Sequence, residues 1–321
     1  MRSIRAISVG STASRVLRRD VVGEVQSVFD RTFNVAFPEP SSGDITLIGI
    51  ARGGMPNGPF NIVTDVPKSR SMRAFDIDRG IRVKRVGESL LVGDRLSVQL
   101  GNARVWRPRT HVNNPSDVRD ILRALEVVRG IAINNVHKGG LGQMLLYLDE
   151  VLADRDARPF LRSDVNHVTR MALPSTISLI GAIRSGNREG IGLHVRNLIG
   201  LGPGLSPSAD DMLAGFMAAL WWMANTFGKG IEYVKDVNTA IARSATKTTL
   251  LSRQILRHAA VGEVNEAIEG LLGSVLTAQD DSVRVAVKDA LAIGESSGMD
   301  TIVGILLGFY AGAAIVTRVG R

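Results

Sequence analysis

Two short patterns in this chain place a hydroxyl, a carboxylate and a glycine at one shared spacing. Ser208-Ala209-Asp210-Asp211-Met212-Leu213-Ala214-Gly215 and Ser297-Gly298-Met299-Asp300-Thr301-Ile302-Val303-Gly304 both read Ser-x-x-Asp-x-x-x-Gly and run into an apolar segment. A serine at a helix start can accept a hydrogen bond from a free first-turn amide. An acid three residues on can reach back to the same turn, and it favours the positive end of the helix dipole. The glycines fall four residues after the aspartates, on the same helical face, where another backbone can approach closely. Capping alone accounts for one such element. The repetition, the glycine and proline density of Gly200-Leu201-Gly202-Pro203-Gly204-Leu205-Ser206-Pro207, and the adjacent acids Asp210 and Asp211 all exceed what a cap requires. Paired carboxylates, once buried, need a cation, a proton or hydrogen-bond donors. Glycine-rich backbone ahead of a helix presents amides to an anion. The loop is neither a Rossmann fingerprint nor a P-loop. Its glycines have the wrong spacing, a helical segment precedes it, and Leu205-Ser206 stand where lysine and a hydroxyl residue are needed.

Between the two patterns lies Lys247-Thr248-Thr249-Leu250-Leu251-Ser252-Arg253, which places Thr248 and Ser252 on one helical face with two cations nearby. This is either a helix start with a solvated basic side or a source of positive charge for an anionic substrate. Arg52-Gly53-Gly54 and Asn57-Gly58-Pro59 form a turn that fits a plain strand connection. The five histidines are dispersed without metal-ligand spacing. Only His137-Lys138-Gly139-Gly140-Leu141-Gly142 again surrounds polar groups with glycine ahead of a helix. No Gly-x-Ser-x-Gly elbow supports a nucleophilic serine. With no cysteine, disulfides, thiolate metal sites and a cysteine nucleophile are excluded, and a cytoplasmic setting is expected.

The elements that must position these residues change character along the chain. The 321 residues, 45% hydrophobic and 22% charged, are enough for a large core, and two domains are expected. The first third is β-patterned, with short apolar runs at Asp44 to Ala51, Phe60 to Val66, Ile81 to Val86, Ser89 to Val92, Leu96 to Leu100 and Ala103 to Trp106. Val22 to Ala36 adds one or two strands. Such closely spaced runs predict a small antiparallel sheet or barrel. After Pro108 the periodicity is helical, beginning at Pro115-Ser116-Asp117. Helices are expected over Leu141 to Ala157, Ser163 to Ala182, Ile191 to Leu198, Ala209 to Phe227, Tyr233 to Ala245, Thr248 to Ala260, Val264 to Leu276, Ser282 to Ile293 and Met299 to Thr317. The expected class is therefore α+β, with a β-rich domain over 1–110, an all-helical domain over 111–321 carrying both patterns, and the two packed together. Two very apolar stretches, Met212 to Phe227 and Met299 to Thr317, are predicted to be buried central helices rather than membrane spans. The N-terminus has basic residues but no continuous apolar run, which argues against a secretory signal. The formal charge of +8 is scattered rather than gathered with aromatics, so no nucleic-acid partner is expected; small anions fit equally well.

At these motifs the sequence resembles a known family. GLGPGLSPSADDMLAG resembles the signature Gly-Leu-Gly-Pro-Gly-Leu-Thr-Pro-Ser-Gly-Asp-Asp-x-Leu-x-Gly of a family long catalogued as a domain of unknown function, which includes a subunit of bacterial oxamate carbamoyltransferase in purine (allantoin) degradation. GESSGMDTIVGILLG is similar to its second motif, TTLLSRQILRHAAVGE to the segment between them, and VQSVFDRTFNV and Trp106-Arg107-Pro108 to its N-terminal part. Two positions depart: Ser206 replaces a common threonine and keeps its hydroxyl, and Ala209 replaces a common glycine. The resemblance implies reversible carbamoyl transfer between phosphate and oxamate, through oxalurate and carbamoyl phosphate, with other transferase subunits as partners. On that basis the amides around Gly202, Gly204 and Ser206 would bind one anion, with Ser208 at the helix start. The amides of Ser296, Ser297 and Gly298 would bind a second. Asp210, Asp211 and Asp300 would accept substrate NH2 groups or hold Mg²⁺. Lys247 or Arg253, with Thr248 and Ser252, would meet developing charge. The alternatives are a structural subunit without chemistry and an enzyme of the same fold acting on another small carboxylate or amide. The sharpest expectation is that both helix starts converge on one polar pocket.

Overall fold

The structure, a computed structural model, describes residues 1–39, 43–136, 139–153, 155 and 162–318. The chain divides into two compact units, Met1–Pro108 and Arg109–Arg321. The class is α+β, with the described strands gathered in the first unit and the long helices in the second.

The strands of the first unit are β1 (Arg2–Gly10), β2 (Val22–Val28), β3 (Thr32–Pro38), β4 (Ile45–Ala51), β5 (Asn61–Thr64), β6 (Arg82–Val86), β7 (Ser89–Val92), β8 (Leu96–Gln99) and β9 (Arg104–Trp106). Their order is β5-β4-β3-β2-β6-β7-β8-β1, and a further β1–β5 pairing closes this run into a barrel. β9 joins the later half of β1. Closure leaves few unpaired edges. The barrel interior is filled by residues on the inward face of alternating strands, among them Phe33, Val35 and Phe37 of β3, Ile48 and Ile50 of β4, and Leu90 and Val98. The sheet is not purely antiparallel as expected. β1 pairs in parallel with β8 and β9, and β4 with β5. β1 itself was not anticipated: its short buried residues Ile4, Ala6 and Ser8 alternate with exposed ones such as Arg5 and Ile7, and all its partners are distant in sequence. A short helix, α1 (Ser11–Val16), follows it. The Asn57-Gly58-Pro59 turn closes onto α1, where the Thr12 and Ala13 amides donate to the Pro59 carbonyl at 2.8 and 3.1 Å. Gly10 makes this approach possible, since a Cβ there would lie 2.0 Å from the Gly58 carbonyl oxygen.

The second unit holds α2 (Val118–Ile133), α3 (Leu148–Leu152), α4 (His167–Ser185), α5 (Arg188–Leu198), α6 (Ser208–Phe227), α7 (Ile231–Ser244), α8 (Leu250–Ala259), α9 (Glu266–Thr277), α10 (Asp280–Leu291) and α11 (Ser297–Arg318). Asp117 caps α2 by accepting from the Asp120 amide at 2.9 Å. The helix expected over Leu141 to Ala157 is instead a 3-10 segment, Gly142–Tyr147, followed by the short α3, and its last residues lie partly outside the described ones. His137 and Lys138 also lie outside them. The two very apolar stretches are α6 and α11, and both run through the middle of the helical core. α11 is long and apolar enough to cross a membrane, yet 72% of that stretch is buried within the chain.

α6 and α11 lie side by side and run the same way. A Cβ on Gly215 would fall 2.2 Å from the Thr301 carbonyl oxygen, and one on Gly304 would fall 1.8 Å from that of Met212. Shifting every number by the offset that lays Ser208 on Ser297 exchanges these two contacts. The sequence repeat is therefore also a local two-fold relation in space, and it brings the two helix starts together.

Candidate functional site

The loop ahead of α6 turns on three glycines with left-handed backbone: Gly200 (φ +80°), Gly202 (φ +116°) and Gly204 (φ +96°). Gly202 folds down on the helix start, where a Cβ would meet the Ser208 nitrogen at 2.7 Å. The Ala209 amide donates to the Leu201 carbonyl, and the Asp210 and Asp211 amides donate to that of Pro207. The first-turn amides are thus largely used by the loop itself. The amides of Gly202, Gly204 and Ser206 take no partner among the described residues. At the second start, Gly298 packs so closely that a Cβ would lie 2.0 Å from the Ala290 carbonyl oxygen, and its amide donates to Ile293. Gly298 therefore offers no free amide, contrary to expectation. Those of Ser296 and Ser297 remain without a partner among the described residues.

The serines act across the helix pair rather than as caps. Ser208 is the first residue of α6, the N-cap position belongs to Pro207, and no side chain caps that helix. Ser297 stands 3.2 Å from Ser206, oxygen to oxygen, and Ser206 donates to Asp211 Oδ2 at 2.9 Å. Ser297 of α11 thus bears on Asp211 of α6, and Ser208 of α6 bears on Asp300 of α11. This is the same two-fold exchange seen in the glycines.

Asp210, Asp211 and Asp300 are 1%, 6% and 0% exposed. Burial pushes the Asp211 carboxyl up to about 8 against the pull of the Ser297 and Ser206 hydroxyls, with the Asp300 and Asp210 charges adding to the rise. Burial raises Asp300 to about 6; the Leu141 amide and the Ser208 and Ser296 hydroxyls oppose it. The Leu141 amide donates to Asp300 Oδ1 at 2.6 Å. Oδ2 is buried and takes no hydrogen bond of ordinary geometry among the described residues, though the Ser208 and Ser296 hydroxyls lie close enough to this carboxyl to lower it.

Asp210 belongs to a different network. Burial raises it too, but Thr248 Oγ1 and the Gly200 amide, the latter at 2.8 Å, hydrogen-bond its two oxygens, and Ser252 also lowers it. Thr249 caps α8 and donates to the Leu205 carbonyl at 2.6 Å, so this segment holds the loop. Asp210 therefore anchors the loop instead of facing the Asp211–Asp300 pair. The three acids do not form the expected Mg²⁺ set: among the described residues no group of three or more His, Asp or Glu side chains could hold a metal ion. The physical reason is helical geometry, because adjacent residues point about 100° apart. Lys247 is exposed and Arg253 is half-buried, and neither pairs with a carboxylate among the described residues. Arg253 donates to the Thr246 carbonyl at 3.3 Å.

A third loop joins the pair. Gly140 has φ +66°, and a Cβ there would lie 2.5 Å from Asp300 Oδ1 and 2.9 Å from Oδ2. Its carbonyl accepts from Asn166 Nδ2 at 3.0 Å and Thr169 Oγ1 at 3.1 Å, which pin it to the start of α4. The glycines of this segment signal its importance in the sequence, but no local spacing links it to Asp300. Chemically, the pair offers one acid that is protonated near neutrality beside one that is largely ionised. Separated values of this kind suit one group to donate a proton and the other to accept one.

Two family models match the chain. One is described as oxamate carbamoyltransferase subunit AllH and spans residues 198–309; the other is the AllH family N-terminal domain and spans residues 5–105. No solved structure matches. The first match encloses the glycine-rich loop, Asp211, the Thr248 segment and Asp300, while the Gly140 loop lies between the two matched stretches. Both halves of the chain thus point the same way, and the chain belongs to the AllH family, that of an oxamate carbamoyltransferase subunit.

Proposed function

We propose that this chain is the subunit of an oxamate carbamoyltransferase that binds the small substrates, and that binding occurs where α6 and α11 begin. The observation that supports this reading is the convergence of two glycine-rich helix starts on the buried Asp211–Asp300 pair. The open amides of Gly202, Gly204 and Ser206 suit a phosphate or carboxylate. Those of Ser296 and Ser297 suit a second anionic group. Carbamoyl transfer from carbamoyl phosphate to oxamate forms an N–C bond, releases phosphate and removes one proton from the amide nitrogen. Asp300, as the more ionised acid, takes that proton, and neutral Asp211 donates a hydrogen bond to the departing oxygen. Positioning rather than a covalent intermediate supplies most of the rate.

A thermal-shift assay on the purified chain tests this reading. Carbamoyl phosphate and oxamate, each at about ten times its Kd, should raise Tm by a few degrees, since such occupancy adds about 1.4 kcal/mol of stability. No shift with either, in a chain that still assembles with its partner subunits, would overturn it. One observation favours a second reading, in which the partners complete the chemistry: among the described residues no lysine or arginine is ion-paired at the two acids. Oxamate binding by the assembled enzyme but not by this chain would select that reading.

A further inference from the structure

Away from the two acids, the helical unit encloses a cavity of about 510 Å³ at the ends of α4 and α11 and the start of α7. It shares no lining residue with the helix starts. Tyr310, in its wall, stands ten residues beyond Asp300 on α11, or about 15 Å along the helix. Cavities of about 300 to 1,000 Å³ are the size that holds a small organic molecule. Ile180 and Ile183 of α4 and Ala311 and Ile315 of α11 give this one aliphatic walls. Tyr233 and Tyr310 add ring carbon, because their hydroxyls are spent on the protein: Tyr233 donates to the Ile183 carbonyl at 2.5 Å, and Tyr310 donates to Glu126.

Braces between the helices hold this space open. The Tyr233 hydrogen bond ties α7 to α4, and Arg318 donates to the Arg184 carbonyl at 3.1 Å, which ties α11 to α4. Gly230, with φ +70°, sets the start of α7 against α11, where a Cβ would lie 2.5 Å from Ile315 Cγ2. The charge in the lining has one sign. Arg184 and Arg318 both border the cavity, and no acid does so among the described residues. Each arginine favours the negative end of its own helix. Each also spends a hydrogen bond on a backbone carbonyl, Arg184 on Leu152 and Arg318 on Arg184, and neither pairs with a carboxylate among the described residues. A guanidinium has five N–H donors, so most of each fork is left for an anion. We infer that this cavity is a second ligand site, and that it takes a free organic acid whose apolar body lies between α4, α7 and α11 and whose carboxylate meets Arg184 and Arg318. A small hydrophilic anion leaves the aliphatic walls uncovered, and a neutral apolar molecule leaves the two cations unanswered.

Isothermal titration calorimetry on the purified full chain tests this, with octanoate, hexanoate and 1-octanol as probes. Octanoate should bind, and affinity should fall about fourfold for each methylene removed toward hexanoate, the worth of one buried CH2. Octanol keeps the apolar body without the charge, and should bind about 10- to 100-fold more weakly than octanoate, the value of hydrogen bonds to a charged group. Arg318→Gln should cost octanoate about tenfold or more and leave octanol unchanged. Ala314→Phe, at an exposed position in the lining, should fill the cavity and remove binding of both probes while the chain stays folded by circular dichroism. No binding of octanoate, equal affinity for octanoate and octanol, or octanoate affinity unchanged in either folded variant would overturn the inference.

Discussion

Asp211 is the residue at which structure and function pull apart most clearly. Its carboxyl is raised from the ordinary 3.8 to about 8 by burial. The folded protein therefore holds a proton there that the unfolded chain releases. A folded value above the unfolded one means stability that is present below about 4 and lost as pH rises toward about 8, with a slope of at most about 1.4 kcal/mol per pH unit. Asp211→Asn removes this slope, because a neutral amide replaces a neutral acid and the Ser206 hydroxyl can turn to accept from it. In urea denaturation from pH 5 to pH 8 the variant should gain on the wild type steadily. Parallel curves would show that Asp211 is ionised in the fold. Activity of the assembled enzyme should move the other way, falling about a hundredfold or more if Asp211 supplies the proton or hydrogen bond proposed. At this scale the sequence showed which hydroxyls and acids stand at the two helix starts and was a poor guide to their partners. Ser208 and Ser297 have the spacing of caps, but each hydroxyl serves the aspartate of the opposite helix. That exchange depends on how α6 and α11 cross, which no local pattern encodes.

The pairing of α6 with α11 is the element that sets the site's geometry. Gly215 and Gly304 are small because the opposing carbonyl oxygens of Thr301 and Met212 occupy the space of a side chain. Further along the same seam, Gly308 lies against the Phe216 carbonyl and Gly312 against Met223. Gly304→Ala would drive a methyl into backbone that cannot yield without separating the helices, so a loss of about 1 to 3 kcal/mol or more is expected. Gly270 of α9 offers the contrast, because nothing lies within 4 Å of a Cβ there. Gly270→Ala should stabilise by about 0.5 to 1 kcal/mol through helix propensity alone. Thermal or chemical denaturation of both variants decides the matter; equal effects would mean the seam is looser than described. The elements themselves were largely legible: every helix from α4 to α11 lies within a few residues of its hydrophobic periodicity. Those that escaped are set by remote partners. β1 is a strand because β5, β8 and β9 flank it. The Gly142–Tyr147 segment is 3-10 beside the point where Gly140 is pinned against Asp300.

At the scale of the whole molecule, the division of labour follows from where the cores lie. The barrel core draws only on residues of Met1–Pro108, and the helical core only on Arg109–Arg321. Each unit therefore has the separate hydrophobic interior that lets a domain fold alone. Asp211, Asp300, their serines, the loop glycines and the Gly140 clamp all belong to the helical unit. If small-molecule binding resides there, a fragment spanning 109–321 should fold, keep its helical content and retain the oxamate-dependent rise in Tm. The 1–108 fragment should fold as a β protein and show no response. The barrel would then be free to meet the partner subunits, so only fragments containing it should assemble with them in a pull-down. A helical fragment that folds but no longer responds to oxamate would place part of the site in the barrel unit. That result would also separate what each family match covers, because it would tie the 5–105 stretch to ligand binding rather than to assembly.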